Sequence, residues 1–153
     1  MIKIRTLPPK ITGREFENCI NIDPSCCKDL KEPLEITTYV DLADSKITHL
    51  SPLVNFSGRD MFKNTASFRN CKNLKVATGT FSGSVDFSNS GIEKIENLIT
   101  DTKATASFSN CPIKYIPKKY RDKVFFFDKK TRENSILVDE IHKIKSETNN
   151  IVI

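Results

Sequence analysis

The 153-residue chain carries 24 Lys and Arg against 19 Asp and Glu, a formal net charge of +5, and 38% of its residues are hydrophobic. A chain of this size is expected to form one compact domain that buries about 68–70% of the surface exposed when unfolded, so neither a metal nor a disulfide framework is required. No apolar run approaches the ~18 residues of a membrane span, and Met1 to Arg5 does not lead into the apolar stretch of a secretory signal, which predicts a soluble, cytoplasmic protein.

A degenerate pattern recurs along the chain, with apolar residues at positions 0, 2, 7 and 10 and a small residue at position 5. Ile2, Ile4 and Leu7 form a faint first copy. Ile20, Ile22, Ser25, Cys27 and Leu30 form the next, followed by Val40, Leu42, Ser45, Ile47 and Leu50. Ala66, Phe68 and Cys71 open a fourth copy, whose Leu74 and Val76 fall out of step. Val85, Phe87, Ser90, Ile92 and Ile95 are the clearest, and Ala106, Phe108, Cys111, Ile113 and Ile116 repeat them without a gap. Val124 and Phe126 close the series. The starts lie 18 to 26 residues apart, about 20 on average, with an insertion implied near Val54–Lys63. That period falls in the range of leucine-rich repeats. Four residues ahead of each start a second column supports the register: Phe16, Ile36, Phe62, Phe81 and Tyr120, broken at Thr102.

Positions 0 and 2 alternate as in a short strand with one apolar face, while 7 and 10 belong to the segment that returns. One such unit cannot bury its apolar face alone, whereas stacked units join theirs into a continuous core beside a parallel sheet. A small side chain at position 5 suits the turn out of the strand, where it can bond backbone that has left the ladder. Cys71 and Cys111 are thus expected to be buried turn residues. The five cysteines, with Cys19, Cys26 and Cys27, are odd in number and lack C-x-x-C spacing, so reduced thiols are expected. His49 and His142 stand far apart, and neither a metal site nor a cofactor is predicted.

The predicted fold is an α/β repeat solenoid over residues 1–132, with a leucine-rich-repeat-like parallel sheet of about 6–7 short strands. Residues 133–153 are assigned to a C-terminal helix and tail packed on the last repeat. Within Thr131–Lys145, Leu137, Ile141 and Ile144 fall on one helical face, and Asn134 or Ser135 can cap its start. The tail ends on Ile151-Val152-Ile153.

The segment Phe81-Ser82-Gly83-Ser84-Val85-Asp86-Phe87-Ser88-Asn89-Ser90-Gly91-Ile92-Glu93-Lys94-Ile95 resembles the V-x-G-x-F-x-C-S-N-N-x-L-x-x-L unit of short leucine-rich-repeat proteins of bacteriophages and bacteria. Leu7-Pro8-Pro9-Lys10-Ile11-Thr12-Gly13 is similar to their L-P-x-x-V-x-G connector. Ser90 or Cys111 replaces the usual second Asn, and leucine is sparse. The resemblance implies a non-catalytic solenoid that binds a protein partner, with a phage-encoded modulator or inhibitor of a host protein as the expected role.

In such a fold the outward strand positions line a wall. Position 1 holds Asn21, Asp41, Ser67, Asp86 and Ser107, and position 3 holds Asp23, Ala43, Arg69, Ser88 and Ser109. Tyr39 and Arg69 are the large groups of this otherwise small, polar wall, and both residue types are favoured interface anchors. The candidate partner-binding residues are therefore Tyr39, Asp41, Ser67, Arg69, Asp86, Ser88 and Ser107. Asp41 and Asp86 flank the Ser67 strand, about 10 Å apart at ~4.8 Å per strand, too far to share a proton. A second surface is basic: Lys114, Lys118, Lys119, Arg121 and Lys123 lie in a 112–132 segment with eight basic and two acidic residues, beside Tyr115 and Tyr120. Nucleic acid is the alternative partner there, since cations attract phosphate and aromatic rings stack on bases. No phosphate-binding glycine loop, HExxH or Gly-x-Ser-x-Gly elbow occurs, so no enzyme activity, small-molecule substrate or membrane partner is expected.

Overall fold

Thr12 and Glu15 start the first helix of the described residues. In the computed structural model, which describes residues 8–101, 104–114, 116, 117 and 120 and the backbone of 125–126, strand β1 (Lys10–Ile11) runs directly into helix α1 (Gly13–Ile22). The Glu15 N–H donates to Thr12 Oγ1 (3.2 Å) and the Thr12 N–H donates to Glu15 Oε1 (3.0 Å), a reciprocal capping box. Phe16, Cys19 and Ile20 then fall on the buried face at i, i+3 and i+4, while Ile22 is 52% exposed. This corrects the strand expected at Ile20 and Ile22: the capped helical spacing outweighs a two-residue alternation.

Beyond α1 the described residues alternate, as far as Ala106–Ser107, between two parallel sheets of five strands each. One contains β1, β2 (Leu34–Ile36), β4 (Val54–Phe56), β6 (Val76–Phe81) and β8 (Lys94–Thr100), in that spatial order. The other contains, in the order β10-β9-β7-β5-β3, the strands β3 (Val40–Asp41), β5 (Asn64–Ser67), β7 (Ser84–Asp86), β9 (Ala106–Ser107) and β10 (Phe125–Phe126). Parallel neighbours cannot be joined by a tight hairpin: β1 reaches β2 through α1, and from β2 to β9 each strand reaches its neighbour only after a strand in the opposite sheet. The molecule is thus an α/β fold built on parallel sheets, as expected at that level, but with two sheets where one of about 6–7 strands was predicted.

The first of these sheets accounts for the supporting column of apolar residues. Ile36 pairs with Phe56, and Phe56 with Phe81, so that column is itself a strand face. Phe62 does not belong to it: the residue is 75% exposed, on the loop of residues 57–63 between β4 and β5. The insertion displaced the sequence register, and Phe56 fills the core position instead. The main column survives. Val40, Ala66, Val85 and Ala106 are aligned across the second sheet, with Phe125, one residue later than expected, beside Ala106.

Between the sheets lies an aromatic core. Phe68, Phe87 and Phe108 stack face to face at 5.2 Å centroid spacing, and Phe56 stacks on Phe81 at 4.6 Å. The two stacks meet edge to face, Phe56 on Phe68 at 5.9 Å and Phe81 on Phe87 at 6.1 Å, which matches the ring quadrupoles better than sandwiched faces throughout would. Ile47, Ile92, Ile113 and Ile116, from positions 7 and 10, close the core. The small slot behaves as expected: Cys71 Sγ donates to Leu42 O (3.0 Å) and Cys111 Sγ to Phe87 O (3.1 Å), each touching the serine of the preceding unit, Ser45 or Ser90, at 3.4 Å. Burial pushes the Cys71 thiol above its ordinary pKa.

One column was not anticipated. Asp44, Asn70, Asn89 and Asn110, each immediately before the small slot, take the left-handed conformation at φ 64°, 61°, 59° and 56°. Asx side chains tolerate it best among non-glycine residues. They also bond along the column, Asn70 Nδ2 to Asp44 Oδ1 (2.8 Å) and Asn110 Nδ2 to Asn89 Oδ1 (2.9 Å).

The copy at Ile2, Ile4 and Leu7, the helix expected over 131–145, the apolar tail and the boundary at 132/133 lie outside the described residues. Among the described residues no helix is long and apolar enough to cross a membrane.

Candidate functional site

The outward row of the second sheet brings together four of the predicted wall residues. Asp41 is aligned with Ser67, Ser67 with Asp86 and Asp86 with Ser107, one from each successive strand. Two of their carboxylates are engaged locally: Asp41 Oδ1 accepts the Ala43 N–H (3.1 Å) and Asp86 Oδ1 accepts the Ser88 N–H (2.8 Å). Ser67 Oγ makes the longer equivalent bond to the Arg69 N–H (3.5 Å). Each thereby holds the turn by which the chain leaves the strand, and each still presents charge or hydroxyl to solvent.

Helix α1 finishes the row. Glu17 Oε2 accepts the Asp41 N–H (2.8 Å), so the helix covers an edge-strand donor at β3 that water would otherwise fill. Tyr39, half-buried just before β3, lies in the field of this acidic group. Burial first, and then Asp41, Asp60, Asp86 and Glu17, raise its phenol pKa above the ordinary value of 10.0. The neutral phenol is therefore favoured by folding. Its stabilising effect is complete below the unfolded pKa and is lost as pH rises through the raised folded value. Ultraviolet titration of the native protein should show Tyr39 ionising later than a free tyrosine, and Tyr39→Phe should remove that late component.

Arg69, 55% exposed at its side chain, lies 3.7 Å from Asp86 Oδ2. At that distance and exposure the pair contributes little stability and is open to exchange for a partner's carboxylate or carbonyl. Ser88 departs from the expected wall: it is 8% exposed, and its hydroxyl is hydrogen-bonded to Ser107 Oγ (2.9 Å). It lies in the turn past β7, covered by the neighbouring strand, and ties two units together rather than facing a partner.

Of the basic segment, Lys114 is described and exposed, while Lys118, Lys119, Arg121 and Lys123 lie outside the described residues. His49 is exposed and its Nδ1 is hydrogen-bonded to Thr48 Oγ1 (2.8 Å). It borders a groove of about 320 Å³ with Leu50, Lys75, Val76 and Glu96. Glu96 is engaged with Lys94 at 2.8 Å. Among the described residues no group of three or more His, Cys, Asp or Glu side chains could hold a metal ion.

Sequence reasoning missed two large surface side chains. Met61 and Phe62 are 86% and 75% exposed at the tip of the 57–63 loop, and the long step between repeats was their signal.

These features define the class on geometry: an α/β protein with a polar, acidic sheet wall carrying one half-buried tyrosine and one exposed arginine. Compared with protein-family models, curated proteins and solved structures, the chain finds no match in any of the three.

Proposed function

We propose that the chain is a short leucine-rich-repeat-like solenoid that works as a non-catalytic protein-binding module through the wall of β3, β5, β7 and β9. The row Asp41–Ser67–Asp86–Ser107, set beside Tyr39 and Arg69, carries this reading. It is a flat surface of short side chains in fixed register, which a partner's surface can approach closely, with two anchors of the kind that dominate interface energetics. The spacing of about 20 residues between parallel neighbours supports the solenoid, since each unit contributes one strand to each sheet. The likeness of residues 81–95 to phage and bacterial repeat units extends the reading to a modulator or inhibitor of a host protein acting in the cytoplasm.

The same wall opposes nucleic acid. Glu17, Asp41, Asp60 and Asp86 all act on Tyr39, and phosphates are repelled by such a field. Replacing Tyr39 and Arg69 together by Ala should weaken capture of the protein partner at least about tenfold, the effect of one to two anchors, while circular dichroism shows the fold retained. Unchanged affinity would remove the wall from the binding surface. Reversing the charge of Lys118, Lys119 and Arg121 should leave that capture within a few-fold of native, whereas its abolition, with a steep dependence on salt, would move the function to the basic segment and nucleic acid.

A further inference from the structure

The loop of residues 57–63 is organised to present its tip. Asp60 Oδ1 accepts the N–H groups of Phe62 and Asn64, both at 2.9 Å, and Asp60 Oδ2 accepts from Asn64 Nδ2 at 3.3 Å. The Asp60 N–H donates back to Asn64 O (2.9 Å), the Lys63 N–H donates to Asp60 O (3.1 Å), and Lys63 takes φ 65°. The loop is fixed on both flanks, where Gly58 packs on the Thr37–Thr38 backbone and Gly83 packs under Lys63 O. Held this way, Met61 and Phe62 stand 86% and 75% exposed, side by side.

Two adjacent large apolar side chains held in water forgo the hydrophobic stabilisation that burial would return. A slack loop could fold them back; this one is closed by its own hydrogen bonds. A rigid apolar tip loses little conformational freedom on docking, and Met and Phe are enriched at the cores of protein interfaces.

The charge around the tip describes the partner. Beside Tyr39, Glu17 Oε2 holds the Asp41 N–H (2.8 Å), Asp41 and Asp86 share one outward row across Ser67, and Asp60 closes the loop. Of the cations nearby, Arg69 is engaged with Asp86, and Arg59 and Lys63 bracket the tip along the loop itself. The carboxylates are thus gathered on the flank toward β3.

We propose that Met61 and Phe62 are the anchor that seats the wall of the second sheet in an apolar pocket of a protein partner whose flank facing Tyr39 is rich in Lys and Arg. This rests on the protein-binding reading above and adds to it the anchor and the partner's chemistry. Basic residues on the partner would both accelerate encounter and fix its orientation against the acidic flank.

The test uses random displayed peptides, linear and disulfide-looped, selected on the full chain. Affinities of the enriched peptides are then measured on native protein and on three variants: M61S/F62S, E17Q/D41N/D86N and Y39A/R69A. Glutamine and asparagine keep the acceptor oxygens that hold the Asp41 and Ser88 N–H groups while removing charge, and Asp60 is left in place because it holds the loop. The expected peptides combine Lys or Arg with aliphatic or aromatic residues. Their affinity should fall at least tenfold on M61S/F62S without a change in melting temperature. On E17Q/D41N/D86N it should fall several-fold and lose most of its salt dependence. Peptides that bind M61S/F62S as tightly as native protein would overturn the anchor. If those peptides lose binding on Y39A/R69A, the wall itself stands; if they bind that variant too, the wall falls with the anchor. Enrichment of acidic peptides, or no enrichment, would equally overturn the proposal.

Discussion

Phe87→Ala should destabilise the protein by about 3–5 kcal/mol, the cost of deleting a fully buried phenylalanine and leaving a cavity. At roughly 2–4 °C per kcal/mol for a chain of this size, the melting temperature should fall by roughly 6–20 °C. The effect is large because Phe87 is fully buried and central, stacked between Phe68 and Phe108 at 5.2 Å on either side and edge to face with Phe81 at 6.1 Å. Its loss removes a ring from both directions of packing at once. Phe62→Ala is the matched control. The repeat pattern in the sequence assigns Phe62 to the core, yet it is 75% exposed, so its truncation should change stability by no more than about 0.5 kcal/mol. Thermal or urea denaturation of the two variants decides the matter, and equal losses would mean that loop 57–63 packs inward.

Gly58→Ala should cost about 1–3 kcal/mol or more despite adding a single methyl group. A Cβ at Gly58 would lie 2.3 Å from Thr38 Cα and 2.5 Å from Thr37 O, contacts with backbone that no rotamer change relieves. The corner after β4 would have to lift off the corner after β2, carrying the loop tip away from Tyr39. Denaturation should show the loss of stability, and partner binding should weaken with it. A Gly58→Ala protein as stable as native would show that the two corners are not in contact.

The strands of the second sheet were legible because burial dictates them. Val40, Ala66, Val85 and Ala106 recur with an apolar partner two residues on, and only a parallel stack gives all of them one interior. The wall followed from the same register: Asp41, Ser67, Asp86 and Ser107 occupy the intervening outward positions. The first sheet was visible as the column containing Ile36 and Phe81, but a spacing alone does not say whether an apolar residue stands in a strand or a turn. The insertion then replaced Phe56 by Phe62 in that column, since an apolar residue at the right interval reads as core whichever way it points. Helix α1 was obscured by Ile20 and Ile22 for a related reason: short alternation and helical spacing overlap there, and the signal that separates them is the capping box at Thr12 and Glu15. Ser88 faces outward only if strand alternation continues past β7, but the strand ends at Asp86 and Ser88 lies in a turn, where alternation no longer applies. The acidity around Tyr39 could not be read locally, since Glu17, Asp41, Asp60 and Asp86 come from four separate stretches of chain.

Whether this wall binds a protein is decided by affinity capture on the tagged full chain from a lysate of its source cells, run with and without nuclease and read by mass spectrometry. A protein should be recovered in near-equal amount after nuclease treatment and lost when Y39A/R69A replaces the native chain. Recovery that vanishes with nuclease, or that is unchanged on Y39A/R69A, would contradict protein binding by the wall.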